Sequence, residues 1–202
     1  MDRIICVVGP TASGKTKLAV QLAKAYDGEV VSCDSMQIYK HMDIGTAKPT
    51  PEEMEGVPHH MIDCVEPGED FSVGKYVQLA DGCVQDILSR GKTAVIAGGT
   101  GLYVDSLIAG RTFAPVPQTS KREALEAQLR QEGGEAMLRK LRAVDPDAAA
   151  RLHPADEKRI IRALEVYAET GRTITQHNLD TQQTPPRYRP AVSYTHLRAH
   201  ET

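Results

Sequence analysis

The chain has 202 residues, 41% of them hydrophobic and 25% charged, and a formal net charge of −3. That length suits one domain, or one domain with an insertion, with enough apolar residues to bury a core. The charge balance excludes a uniformly basic nucleic-acid binder, so any RNA contact must rest on a local basic patch. No apolar run is long enough to cross a bilayer, and the N-terminus lacks signal-peptide organisation. A cytoplasmic, monomeric protein without a membrane partner is therefore expected. Cys6, Cys33, Cys64 and Cys83 show no C-x-x-C spacing, which argues against a disulfide framework or a zinc site.

Taken in chain order, residues 3–8 predict a short buried strand, ended by Gly9-Pro10. A helix over 15–26 follows, with Leu18, Ala19, Leu22 and Ala23 on one face. Residues 29–33 predict a second strand. The stretch 34–70 is irregular, rich in Pro and Gly, and of a length that usually signals function. Ser72 is placed to cap a helix running to about Arg90, closed by Gly91. A third strand over 93–97 runs into Gly98-Gly99-Thr100-Gly101 and a helix over 102–109.

Strand, glycine loop and helix recur, which predicts an α/β fold with a mostly parallel sheet. After Pro115 and Pro117 the texture changes. Residues 119–177 are charged, Ala- and Leu-rich and helical, with breaks at Gly133-Gly134, Pro146 and Pro154. The expected division is an α/β core over 1–114, a helical insertion over 115–186, and the start of a returning strand from 187. Residues 193–202 fit neither period and read as a non-native tail.

Gly9-Pro10-Thr11-Ala12-Ser13-Gly14-Lys15-Thr16 matches G-x-x-x-x-G-K-[ST] between a predicted strand and a predicted helix. The glycines let the backbone curl so that its N–H groups surround phosphate oxygens. The helix that follows adds the positive end of its dipole. Lys15 is expected to place a point charge on the terminal phosphates, and the Thr16 hydroxyl to ligate Mg²⁺. The third strand ends in Gly98-Gly99-Thr100 rather than in the metal-binding Asp of phosphate motors, which favours group transfer over ATP hydrolysis.

Asp34-Ser35-Met36-Gln37 follows the second strand, at the carboxyl edge where ligands of open α/β sheets bind. Asp34 is either a loop cap or a general base beside the phosphate cradle. Gln37 carries both donors and an acceptor, suited to reading a base edge. His59-His60 reads as loop structure, facing RNA or nothing, since no further ligands accompany the pair. Lys158-Arg159-Ile160-Ile161-Arg162, read alone, is a solvated helix face.

The ordered blocks GPTASGKT (9–16), DSMQIYK (34–40), MDIGTAKP (42–49), PHHMID (58–63), AGGTGLY (97–103) and HPADEKRIIRALEVY (153–167) resemble the tRNA dimethylallyltransferase, or tRNA isopentenyltransferase, family. The resemblance covers residues 3 to about 190. It implies a P-loop nucleoside-triphosphate-hydrolase-like sheet with helices on both faces and a helical insertion. It further implies Mg²⁺-dependent transfer of a dimethylallyl group from dimethylallyl diphosphate to the exocyclic amine of the adenosine 3′ of the tRNA anticodon.

By position, Asp34 would take the amine proton, while Lys15 and Thr16 hold the leaving group and the metal. Residues 9–16 would grip the diphosphate. Asp34, Ser35, Met36, Gln37 and Thr100 would face the target nucleotide. Arg122, Lys158, Arg159, Ile160, Ile161 and Arg162 would meet the anticodon stem-loop, the basic ones through phosphates.

The family's chains continue well past residue 190, with a strand returning to the sheet, further helices and an arginine on the diphosphate. This chain begins that strand near Tyr188 and stops, so the edge is expected to lack packing and the 202-residue chain to be poorly active. Rival readings are an adenylate isopentenyltransferase, a small-molecule P-loop kinase, or an RNA-binding remnant without catalysis.

Overall fold

A computed structural model describes residues 2–111, 113, 120–183 and 185–194, and the chain divides into two compact units. One is built from Met1–Arg111 and Pro185–Thr202, the other from Thr112–Thr184.

The first unit is a five-stranded, wholly parallel sheet with helices on both faces. Its strands are β1 (Asp2–Val8), β2 (Gly28–Ser32), β3 (His59–His60), β4 (Thr93–Gly98) and β5 (Tyr188–Tyr194), in the order β3-β2-β4-β1-β5. The alternation of a strand sends successive side chains to opposite faces. Ile4, Cys6, Val31, Ala94 and Ile96 meet helices α3 (Val73–Ser89) and α4 (Gly101–Ala109) on one face. Val7, Val30 and Val95 meet Ala19, Val20 and Ala23 of α1 (Lys15–Ala25) on the other. Because both faces are covered, the inner strands read as unbroken apolar runs.

Each boundary has a local cause. Ser72 caps α3, its side chain accepting from the Lys75 N–H at 3.3 Å. Gly98 ends β4 because a Cβ there would lie 2.5 Å from the Cys33 carbonyl oxygen; only a bare α-carbon lets these two strand ends approach. At the opposite, amino edge of the sheet, buried Glu29 receives Arg90 through both guanidinium arms (2.5 and 2.8 Å), Lys92 (3.1 Å) and His60 (2.8 Å). Arg90, helped by His60 and Lys92, holds the Glu29 carboxyl well below the usual carboxylate range against the upward push of burial.

Three sequence expectations are corrected. The stretch 34–70 contains the short helix α2 (Pro51–Met54) and β3. The two histidines are accordingly strand residues, paired with Val30 and Val31. The returning strand does not stop at its start: β5 pairs with β1 from Asp2↔Tyr188 to Val8↔Tyr194, and the edge is covered. Tyr188 anchors it, buried and hydrogen-bonded to Asp81 and to Gln85 (2.8 Å), while Arg187 meets Asp81 at 2.5 Å. Of the segment read as a non-native tail, residues 193 and 194 belong to β5, and residues 195–202 lie outside the described residues.

The second unit is helical: α5 (Ser120–Val144), α6 (Pro146–Ala149), α7 (Glu157–Thr170) and α8 (Ile174–Gln183). Gly133 breaks α5 with φ 78° and ψ 165°, so it is two helices joined at a kink. Asp145 caps α6 through the Ala148 N–H (3.0 Å) and reaches Thr175 at the start of α8 (2.7 Å). Met137, Leu138, Leu141, Ile160, Ile161 and Leu164 form its core. No helix among the described residues is long and apolar enough to cross a membrane.

Candidate functional site

The P-loop residues occupy the turn between β1 and α1, at the carboxyl edge of the sheet. Gly14 is the residue before α1 and has φ 79°, a left-handed value that an L side chain rarely adopts; Ala12 takes φ 63° two residues earlier. No side chain caps the first turn of α1, whose N–H groups have no partner within the helix itself. Ser13 Oγ donates to the Pro10 carbonyl at 2.8 Å, and the Lys15 ammonium donates to the same oxygen. Gly9 is buried beneath the loop, while Pro10 and Thr11 are exposed.

Residues 11–17 form one wall of a cavity of about 510 Å³. Asp34 and Gln37 face it from the end of β2, Thr46 to Thr50 from the following loop, and His59 from β3. Asp34 and Lys15 therefore share one space. Partial burial lowers the Lys15 ammonium below the ordinary lysine value, and the nearby Asp34 carboxylate is the main influence pulling it back up. Burial also lowers the His59 imidazole, whose Nδ1 meets the Val57 carbonyl at 2.8 Å.

Asp34 takes the first of its two sequence readings, the loop cap, and also lines the cavity. Oδ1 accepts from the Met36 N–H (2.8 Å) and the Gln37 N–H (3.3 Å), closing an Asx turn. Among the described residues, both of these bonds fall on Oδ1. Thr100 fixes this turn to α4: its Oγ1 accepts from the Ser35 N–H at 3.0 Å, and its own N–H donates to the Cys33 carbonyl at 3.2 Å. Ser35, Met36 and Thr100 do not line the cavity themselves, and Met36 is 44% exposed beside it.

Gln37 differs from its expected part. Both amide hydrogens are engaged, by the Thr46 (3.3 Å) and Ala47 (2.8 Å) carbonyls, and its Oε1 accepts from Ser32 Oγ at 3.0 Å. In this conformation it braces the next loop instead of offering a free donor–acceptor pair. Lys48 is a second brace. Its ammonium, with the side chain 7% exposed, donates to the Tyr39 carbonyl (3.0 Å), Asp43 (2.6 Å) and Asp63 (2.6 Å). Burial pushes that ammonium down, but the two carboxylates outweigh it and hold it above the ordinary lysine value. No chemical role had been read into residues 42–50. A partial signal was present in Thr50-Pro51-Glu52-Glu53, a capping box whose reciprocal bonds the structure shows.

In the helical unit the basic block splits. Ile160 and Ile161 are 0% and 2% exposed and belong to the core, so the expectation that they touch RNA is corrected: their side chains are needed inside. Lys158 and Arg159 are exposed, Arg159 pairing with Asp156 at 3.1 Å. Arg162 donates to the buried Glu165 at 2.9 Å, and Arg122 to the same carboxylate at 3.5 Å and to Glu126 at 3.1 Å. Lys158, Arg159, Arg162 and Arg151 rim a hollow of about 420 Å³ floored by Ala148, Leu152, Ala163 and Ile174.

Among the described residues, no cluster of His, Cys, Asp or Glu is suited to a metal. The fitting donor is the Thr16 hydroxyl, a hard oxygen on the cavity wall opposite a carboxylate. Mg²⁺ takes few protein ligands and completes its shell from water and phosphate, so one hydroxyl beside a phosphate cradle suits it.

Known proteins similar to this chain are of one kind. The family model for IPP transferase matches residues 37–201, and the one for isopentenyl transferase matches residues 2–65. A tRNA dimethylallyltransferase of Acetivibrio thermocellus is 48% identical over 189 residues, covering 93% of this chain and 60% of the relative. That of Caldanaerobacter subterraneus subsp. tengcongensis is 50% identical over 192 residues, covering 94% and 61%. A eukaryotic dimethylallyltransferase solved acting on tRNA superposes with TM-score 0.85 at 29% identity, over 98% of this chain and 49% of that one. The tRNA delta(2)-isopentenylpyrophosphate transferase of Staphylococcus epidermidis gives 0.59 at 38% identity, over 96% and 63%. The chain thus spans about three fifths of the length of the curated relatives it matches. With the IPP transferase model matching residues 37–201 of a parallel α/β sheet and its helical unit, the chain belongs to the IPP transferase family.

Proposed function

We propose that the site serves transfer of a dimethylallyl group from dimethylallyl diphosphate to the exocyclic amine of the adenosine 3′ of a tRNA anticodon. The observation that carries this reading is the single cavity onto which both the P-loop and the Asp34 carboxylate open. The loop N–H groups and Lys15 grip the diphosphate. As the allylic C–O bond breaks, charge gathers on the leaving diphosphate, and preorganised donors stabilise it. When bound at Thr16, Mg²⁺ adds to that neutralisation. The adenine amine forms the new C–N bond, and its proton passes to Asp34 Oδ2. Oδ1 meanwhile keeps the carboxylate in place through the Asx turn. The base must leave its stack to enter, which costs a few kcal/mol and less in a single-stranded loop. Lys158 and Arg159, the exposed cations of α7, hold phosphates of the anticodon stem-loop, positioning the RNA without reading it.

The test incubates tRNA with dimethylallyl diphosphate and Mg²⁺ and analyses its nucleosides by mass spectrometry. It is run for this chain, for this chain extended by the remaining part of a curated relative, and for the extended chain carrying Asp34→Ala. Dimethylallyl-adenosine from the extended protein, lost in Asp34→Ala, supports the reading. Transfer to AMP but not tRNA, or release of ADP from ATP with a small acceptor, overturns it.

A further inference from the structure

Ile44 is 100% exposed, although the loop that carries it is firmly held. On one side, Thr46 Oγ1 donates to the Met42 carbonyl at 2.7 Å, and Gln37 fastens Thr46 and Ala47. On the other, Lys48 ties Asp43 to Asp63 and to the Tyr39 carbonyl. Gly45, at φ 79°, makes the turn. The residues bracing the loop are themselves cavity wall: Gln37, Thr46, Ala47 and Lys48 all line it. So a β-branched aliphatic side chain stands wholly in water on a braced loop, two residues before Thr46, where that loop begins to line the cavity. A loop with this many internal bonds cannot fold the side chain away, and stiff χ1 keeps it pointed in few directions.

Resting on the functional reading above, we propose that Ile44 is a wedge that fills the gap left when the target adenosine leaves its stack. Aliphatic side chains are what nucleic-acid-bending proteins insert between bases. A base drawn into a cavity leaves an apolar gap between its former neighbours. An exposed isoleucine on the loop that lines the cavity from Thr46 onward matches that gap in size and character. Ile44 touches the RNA but not the reacting atoms, and so is a positioning residue.

The test uses a stem-loop RNA with 2-aminopurine in place of the adenosine 3′ of the anticodon, because that base fluoresces when it unstacks. The chain extended as in the functional test, with the wild-type residue, Ile44→Ala or Ile44→Leu, is compared at saturating protein, with affinity measured over a salt series. Wild type is expected to raise the fluorescence several-fold. Ile44→Ala should lose most of that rise while its salt slope stays unchanged, since no phosphate contact is removed. Ile44→Leu should restore the rise. A fully exposed side chain can be truncated without unfolding the chain, which circular dichroism verifies. An undiminished rise in Ile44→Ala overturns the wedge and leaves the functional reading standing. No rise even in wild type overturns the functional reading and the wedge with it. Ile44-dependent self-association with an unchanged rise assigns the residue to a protein contact and also overturns the wedge.

Discussion

Residues 9–16 and residues 158–162 are both short blocks that stand out in the sequence, one rich in glycine and hydroxyls around Lys15 and the other basic, yet they fold in opposite ways. In the first, a loop, neighbouring residues converge: 11 through 16 all face one cavity. In the second, a helix, neighbours diverge, because each step along α7 turns the side chain by about 100°. Ile160 and Ile161 go to the core, Lys158 and Arg159 to water, and Arg162 to the buried Glu165. A contiguous motif in a loop can be one site. The same length of motif on a helix is two surfaces, only one of which a ligand can reach.

The largest test of that contrast is Ile160→Ala. It removes most of a fully buried side chain and should destabilise the helical unit by about 2–5 kcal/mol. Urea unfolding should show the loss, while the salt dependence of RNA binding in the folded protein stays unchanged. A mutant with wild-type stability and weakened RNA binding would restore the direct-contact role that the buried position denies.

Lys15→Ala should behave in reverse. The ammonium is bonded within the loop but packs into no core, so the unfolding midpoint should barely move. Affinity for dimethylallyl diphosphate, measured by calorimetry, should fall roughly a hundredfold, the usual scale for one charged donor on a phosphate group. A hundredfold loss corresponds to about 2.7 kcal/mol. An unchanged affinity would mean that the cradle works through its backbone alone.

These two cases also show what was legible in advance. The sheet, α1, α3, α4 and the P-loop follow from apolar runs, caps and glycines, whose physics is local. Ser72 capping α3 is one example, and Gly14 at φ 79° is another. β3 is two residues long, too short to show any period, so His59 and His60 read as loop. Gln37 looked like a base reader because its chemistry permits it. Its actual partners are two backbone carbonyls nine and ten residues away, and no side-chain pattern announces such bonds. Ile160 and Ile161 were drawn into the RNA-contacting set by lying inside a basic block, although helical periodicity alone sorts them inward.

Gln37→Ala tests whether the second loop depends on side-chain braces as the first depends on backbone. It deletes three hydrogen bonds, to Ser32, Thr46 and Ala47. At about 1 kcal/mol for a typical net bond, with water replacing some, stem-loop affinity should fall about tenfold. Amide exchange over 44–48 should quicken while the P-loop amides stay as they were. If exchange there is unchanged, Lys48 and the Thr46–Met42 bond hold the loop without Gln37.

The smallest effect belongs to the exposed side of α7. Lys158→Ala removes one charge and no packing, so the plot of log affinity against log salt should lose roughly one unit of slope, with stability unaltered. Arg162→Ala should not match it. Glu165 has no exposed side-chain surface and loses Arg162 as a donor in that variant, so the change should destabilise the unit as well as weaken RNA binding. Equal, purely electrostatic losses in the two variants would place both cations on the phosphate side of the helix. The division of this block into a reachable and an internal surface would then lie one residue earlier, at Ile161.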